Sequence, residues 1–122
     1  MTLSGEQVQH TARTTADSLP GVTNGRPFTK DLDVYKVAGK VFLIVTDDPD
    51  ELIITVKAEP DRGSALRRDH PTITRGRYLD KDHWVSVGAG NGISEDLIED
   101  LVDDSYQLVR ASLPTKDRPD DR

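Results

Sequence analysis

The stretch DVYKVAGKVFLIVT at residues 33–46 sets the fold class. Its two halves are typical of strands joined by Ala38-Gly39, a connection in which glycine takes positive φ easily, so it predicts a tight β-hairpin. Residues 47–50 predict a second turn, and residues 52–57 alternate as a third strand. We therefore expect three consecutive antiparallel strands in the middle of the chain.

Amphipathic helices are predicted at both ends of this strand region. Ser4 begins the first helix, because its hydroxyl can cap the helix while Gln7 is the reciprocal partner in a capping box. Pro20 and Gly21 end that helix. Ser94 begins the last helix, whose apolar half contains Leu97, Ile98, Leu101, Val102, Ser105, Leu108 and Val109.

The remaining segments have a less regular pattern. We expect a turn and an irregular strand entry at residues 22–30, a short helix at 61–69 and an extended segment at 74–79. A further strand is predicted at residues 83–87, followed by a glycine-rich loop at 88–92.

These elements predict one α+β domain. The length of 122 residues suits a single core. We expect a two-layer sandwich, in which the N- and C-terminal helices pack on an antiparallel sheet, over residues 1–113. Residues 114–122 lack apolar side chains and should form a disordered tail. Tyr106 and Trp84 should be at least partly buried, because Tyr106 flanks the apolar stripe of the last helix and Trp84 lies in the strand that this helix is expected to cover.

Composition excludes several classes of protein. The chain has no cysteine, which excludes disulfides, thiolate nucleophiles, iron-sulfur ligation and zinc ribbons. No apolar run approaches the roughly 20 residues that cross a bilayer, and the N-terminus lacks the pattern of an export signal. We expect a cytoplasmic monomer that does not contact membranes.

Charge is distributed unevenly along the chain. The net charge of -6 opposes non-specific binding of nucleic acid by the whole molecule, because that affinity comes from Lys and Arg. Residues 57–92 carry seven Lys and Arg against five Asp and Glu, whereas the segments before and after are acidic. A binding face for an anion is therefore expected in residues 57–92.

The cations of this segment are candidate contacts for nucleic acid. Arg75 and Arg77 flank Gly76, Lys81 follows closely, and Trp84 could stack on a base while the cations hold phosphates. The alternative interpretation is a surface of salt bridges, because five carboxylates are interleaved with the cations and Trp84 could belong to the core.

The other patterns do not predict a catalytic or metal site. The run from Gly88 to Gly92 lacks the spacing of a phosphate loop and opens an acidic helix. The three histidines are scattered, and no activated nucleophile is recognisable. The acidic face of the last helix is best explained as solvated surface. We expect no catalytic residue, no cofactor and no metal ion.

Several short motifs occur in a distinctive order over about residues 10–113. They are Leu19-Pro20-Gly21, Gly39-Lys40-Val41-Phe42, Lys57, Leu66, His70-Pro71, the run LDKDHWVSV at 79–87, and Asp104-Ser105-Tyr106-Gln107-Leu108-Val109. With these motifs the chain resembles the MmcQ/YjbR family of small bacterial proteins. The resemblance implies a CyaY-like, or frataxin-like, fold with a double-wing arrangement and a role in DNA binding. The residues that match the family's recurrent positions are Lys40, Lys57, Lys81, His83 and Trp84.

Our leading hypothesis is a non-catalytic module that binds DNA. Its predicted nucleic-acid contacts are Lys57, Arg62, Arg67, Arg68, Arg75, Arg77, Lys81, His83 and Trp84. The alternative is a protein-interaction module that uses the acidic last helix or the open face of the sheet. Kinship with frataxin adds iron binding as a third hypothesis, ranked lowest because the first helix has only Glu6 and Asp17 as acidic residues. An enzyme would need a pocket with perturbed titrating groups around His70 or His83.

Overall fold

The computed structural model describes residues 3–76 and 79–119. The helices and strands in this part of the chain are, in order, α1 (Gly5–Asp17), β1 (Val22–Gly25), β2 (Leu32–Val37), β3 (Lys40–Asp48), β4 (Glu51–Lys57), α2 (Pro60–Asp69), β5 (Ile73–Arg75), β6 (Trp84–Val87) and α3 (Glu95–Ala111). A 3-10 turn follows at Thr115–Asp117.

One antiparallel sheet carries the fold, with the strand order β1-β2-β3-β4-β6-β5. Helices α1 and α3 pack against each other and against β3 and β4, and α2 contacts β5 and β6. Gly63 of α2 lies against Val85, which is paired with Val56 and belongs to the same core cluster. The three helices therefore share one face of the sheet, and the predicted α+β two-layer sandwich is confirmed.

The central hairpin forms where the sequence predicted it. Ala38 and Gly39 have φ values of 49° and 80°. A two-residue turn with positive φ at both positions matches the right-handed twist of the strands it connects, which is why this turn type is favoured in hairpins. The next two strands pair as far as Asp48 and Glu51, so the turn between them is shorter than the four residues predicted.

Strand β1 is a correction to the sequence analysis. The segment predicted to be irregular contains a four-residue strand, in which Val22 pairs with Val37 and Gly25 with Val34. Val22 and Thr23 are of types enriched in strands, but Asn24 and Gly25 are of types depleted in them, so the strand signal is short and weak. The strand forms because β2 offers it a row of unpaired backbone groups.

The helix caps and the core follow the predicted pattern. Ser4 and Gln7 form the reciprocal capping box of α1, and the hydroxyl of Ser94 accepts the N–H of Leu97 at 3.2 Å. Tyr106 is 1% exposed and packs edge-on against Phe42, with ring centroids 5.4 Å apart. Tyr106 is thus buried and Trp84 half-buried, as predicted. The predicted reason for the burial of Trp84 is wrong, because its side chain lies on the sheet face away from the helices and the last helix does not cover it.

The C-terminal segment continues beyond α3 as far as Pro119 in the described part of the chain. The Arg118 side chain donates to the carbonyl oxygens of Leu113 and Ala111, each at 3.0 Å. The Arg110 side chain donates to the carbonyl oxygen of Pro119, also at 3.0 Å. Disorder of the whole tail at residues 114–122 stays a prediction, and its last three residues lie outside the described part.

Candidate nucleic-acid interface

The face of the sheet opposite the helices carries a row of half-buried side chains. Lys57 of β4 pairs with Trp84 of β6. Their neighbours along the strands, Val56 and Val85, belong to the core under the helices. Because successive side chains on a strand point to opposite faces, Lys57 and Trp84 lie side by side on the face away from the helices.

The row extends to the other side of the sheet. Lys36 of β2 pairs with Val41 of β3 at the same end of the sheet as Lys57 and Trp84. All four residues are half-buried. At about 4.8 Å per strand, Lys36 and Trp84 are about 14 Å apart across the sheet. The row therefore presents two cations and one aromatic ring along a continuous path.

A polar groove of about 560 Å³ lies next to this row, over β4, β6 and β5. Its lining residues are Glu51, Ile53, Thr72, Thr74, Arg75, Gly76, Lys81 and Ser86. The hydroxyl of Ser86 is hydrogen-bonded to that of Thr55 at 2.8 Å, and Thr72 donates to the carbonyl oxygen of Gly88 at 2.9 Å. The groove thus combines two cations with hydroxyl groups that protein interactions already orient.

The two cations of the groove differ in their surroundings. Arg75 donates to Asp82 at 2.9 Å, in an ion pair whose two side chains are more than half exposed. Lys81 is exposed, and within residues 3–76 and 79–119 it has no carboxylate within ion-pair distance. Lys81 is therefore free to contact an anion. Arg75 would first have to break its weak surface ion pair with Asp82.

The loop before β6 is held by hydrogen bonds to Asp80. The carboxylate of Asp80 accepts the backbone N–H of Asp82 at 2.9 Å and lies 3.0 Å from the Nδ1 of His83. Both contacts lower the pKa of Asp80 below its ordinary value, and the hydrogen bond from the backbone of Asp82 has the larger effect. His83 is exposed at the start of the same strand as Trp84. The predicted contact His83 is therefore tied to Asp80 and is not among the residues that line the groove.

The other predicted contacts lie on α2, which is on the helical side of the sheet. Arg62 forms an ion pair with Asp104 of α3, and Arg68 pairs with Asp69 at 3.3 Å. The guanidinium group of Arg67 folds back over Gly63. The predicted set is thus divided. Arg75 and Lys81 line the groove, and Lys57 and Trp84 lie in the row beside it. Arg62, Arg67 and Arg68 lie on the helical side, and His83 lies in the loop before β6. Arg77 lies outside the described residues.

A second, apolar cleft separates α2 from α3. It has a volume of about 310 Å³, and its apolar lining includes Ala58, Leu101, Leu108 and Ala111. Arg62 and Asp104 also line this cleft, as does Lys57, whose backbone N–H donates to Ser105 of α3. The Arg62 pair is therefore better explained by bridging the two helices than by binding phosphate.

A polar cluster around Asp33 was missed by the sequence analysis. Asp33 is 3% exposed, pairs with Arg13 of α1 and accepts from the side chain of Asn24 at 3.1 Å. Burial, and then the charge of Asp33, raise the pKa of Tyr35 above its ordinary value. Arg26 lies 3.9 Å from Asp33 and 3.1 Å from Asp47. No sequence signal separates this buried carboxylate from the exposed ones, because its partners come from two other segments, α1 and the region of β1.

The acidic side of α3 meets α1. Shallow grooves between the two helices are lined by Glu99, Asp100 and Asp103 together with Thr14 and Thr15. In the described ranges, no group of three or more His, Asp or Glu side chains is arranged to hold a metal ion. None of the described helices has the length and apolar character needed to cross a bilayer. A protein partner on this acidic side stays a prediction.

Comparison with known proteins identifies the family. The model of the YjbR family matches residues 17–108. The chain belongs to the YjbR family. It is 34% identical over 113 residues to the uncharacterized protein YbdF of Escherichia coli, and the match covers 93% of each chain. It is also 30% identical over 83 residues to the uncharacterized protein YjbR of Escherichia coli, covering 68% of this chain and 70% of the relative.

Solved structures of similar proteins support the same assignment. A crystal structure of a Deinococcus radiodurans protein with the domain DUF419 matches with a TM-score of 0.79 and 30% identity, covering 86% of this chain and 80% of that one. A crystal structure of a Pseudomonas syringae protein matches with a TM-score of 0.65 and 23% identity, covering 87% and 98%, which shows the shared fold alone. The names of these relatives state no activity, and the part matched by the YjbR family contains the whole groove and the row beside it.

Proposed function

We propose that this YjbR protein binds nucleic acid through the sheet face opposite its helices. The observation that carries the proposal is the row of two cations and one aromatic ring on this face, next to a groove with further cations. Lys36, Lys57 and the groove cation Lys81 lie on or beside this face. The acidic side of α3 is on the helical layer. A net charge of -6 is therefore compatible with a local surface that attracts phosphate.

The chemistry of the face suits a phosphate and sugar backbone. Cations neutralise phosphates and release counterions, while a hydroxyl group such as that of Thr74 can donate to a phosphate oxygen. The half-buried ring of Trp84 offers an apolar surface beside Lys57. Hydrogen bonds from an ordered sheet cost little additional conformational entropy on binding.

The number of cations limits the affinity. With Lys36, Lys57, Arg75 and Lys81 as the contacts, binding to a single strand should weaken about 50-fold, and to a duplex about 150-fold, between about 50 and 200 mM salt. Affinity at physiological salt should be in the range of non-specific binders, with a Kd of about 1 to 100 μM.

Fluorescence anisotropy of labelled oligonucleotides at these two salt concentrations tests the proposal. Lys81→Glu should weaken binding and reduce the salt slope by about 1, because one phosphate contact is lost. Arg68→Glu is the matched control: it makes the same change in net charge at an exposed position on α2, on the other side of the sheet. Equal losses for the two variants would show that only net charge matters, and absence of binding at low salt would refute the proposal.

A further inference from the structure

The loop between β1 and β2 presents an aromatic ring to solvent. Phe28 is 60% exposed, and in residues 3–76 and 79–119 it is the one large apolar side chain with such exposure. Single apolar residues on a surface are common, so exposure alone does not indicate a site. The surroundings of Phe28 carry the inference.

Contacts within the loop and to β3 hold the backbone on both sides of Phe28. The Arg26 side chain donates to the carbonyl oxygen of Lys30, and Arg26 also pairs with Asp47 of β3 at 3.1 Å. The backbone N–H of Asp47 donates to the carbonyl oxygen of Asp31 at 2.7 Å, and that of Leu32 to the carbonyl oxygen of Thr29 at 3.3 Å. A ligand on Phe28 would therefore meet a preorganised loop and would not have to order it.

A groove lies next to the loop that carries Phe28. The groove has a volume of about 400 Å³ and is lined by Pro27, which precedes Phe28, and by Thr23, Val34 and Lys36. Lys36 belongs to the row that continues to Lys57 and Trp84. No described carboxylate lies within ion-pair distance of Lys36 or of the exposed Lys30.

We propose that Phe28 and Lys36 form a subsite for single-stranded nucleic acid, in which the ring of Phe28 stacks on an unpaired base and Lys36 contacts a neighbouring phosphate. This inference rests on the proposed function and names its substrate class. From the subsite, the strand follows the row across the sheet to Trp84 and the groove that contains Lys81.

Single strands fit this arrangement better than a duplex. The faces of duplex bases are covered by their neighbours in the stack, whereas an unpaired base has a free face for an aromatic ring. Aromatic rings and cations spread over a sheet face are the arrangement that other sheet-based modules use for single strands. Binding of a protein to Phe28 would not by itself explain why Lys30 and Lys36 beside it have no described carboxylate as a partner.

The test compares three labelled probes: a single strand, the same sequence as a duplex, and a strand without bases. Each is about 12 nucleotides long, which is within the range that one small domain covers. The wild-type protein should bind the single strand most tightly. Phe28→Leu keeps apolar bulk and removes the aromatic face, so single-strand binding should weaken about 5- to 100-fold. Phe28→Tyr keeps the aromatic face and should retain binding.

The strand without bases separates stacking from phosphate contact. It should bind the wild type weakly and be insensitive to Phe28→Leu, while Lys36→Gln should weaken all single-stranded probes. Duplex binding as tight as single-strand binding, or an unchanged affinity of Phe28→Leu for the normal single strand, would overturn the subsite and leave the proposed function standing. Failure of every probe to bind would overturn both. Because Phe28 is exposed, its variants should unfold at the wild-type midpoint, which urea titration checks.

Discussion

The hydroxyl of Ser105 on α3 donates a hydrogen bond of 2.6 Å to the carbonyl oxygen of Phe42 on β3. The same hydroxyl accepts the backbone N–H of Lys57 on β4 at 2.8 Å. Regular pairing of β3 with β4 ends at Leu43 and Val56, which are the chain neighbours of Phe42 and Lys57. Ser105 thus joins the two strands where their ladder stops, at the position from which Lys57 enters the proposed interface.

Replacing Ser105 with alanine should destabilise the protein by about 2 kcal/mol, because a buried carbonyl and a largely buried N–H lose their partner. The free energy of unfolding from urea titration measures this. Ser112→Ala is the control, since that hydroxyl bonds locally to Val109 at an exposed position and should change stability by less than about 0.5 kcal/mol. Similar losses for both variants would contradict the bridging role.

Three glycines separate backbone strain from close packing. Gly39 has φ +80° and open space around it. Gly92 also has φ +80°, and a Cβ added there would lie 3.1 Å from the His70 ring. Gly25 has neither constraint. Alanine should cost about 1 to 2 kcal/mol at Gly39 through left-handed strain, more at Gly92, and less than about 0.5 kcal/mol at Gly25. Urea unfolding of the three variants gives the order. A loss at Gly92 no larger than at Gly39 would show that the His70 contact yields easily.

The raised pKa of Tyr35 predicts a loss of stability in alkali. The unfolded chain releases the phenolic proton near the ordinary value of about 10, whereas the folded state, by burial and then by the charge of Asp33, retains it to higher pH. The stabilisation is therefore fully present below about pH 10 and is lost as pH rises through the folded pKa. Unfolding midpoints of the wild type and Tyr35→Phe, compared from about pH 8 to 11, isolate this group from the lysines. Parallel pH profiles would contradict the prediction.

Trp84 is the single tryptophan of the chain and reports directly on the proposed interface. Because it lies next to Lys57 on the sheet face, an unlabelled oligonucleotide should change its fluorescence with the same midpoint as the anisotropy titration. Lys81→Glu should shift both midpoints together. Binding detected by anisotropy without any change at Trp84 would place the nucleic acid elsewhere on the molecule.

Local patterns were sufficient for much of the fold. The hairpin at Ala38-Gly39 and the helices begun by Ser4 and Ser94 are encoded within a few residues, because turn geometry and capping depend on neighbours in the chain. Strand β1 was not predictable in this way. Its four residues become a strand only through pairing with the edge of β2.

The sequence by itself determined that residues 57–92 concentrate positive charge in an acidic chain and that the ends form amphipathic helices. Only the tertiary structure decided which cations share a surface. Lys57 and Arg62 are five positions apart, yet the first lies in the row on the sheet face and the second pairs with Asp104 on the helical side. Lys36, from a distant segment, joins the row through strand pairing. The reason is geometric. Side chains alternate between the two faces along a strand, and the chain passes to the helical side when a helix follows the strand. Residues that are close in sequence can therefore lie on opposite faces.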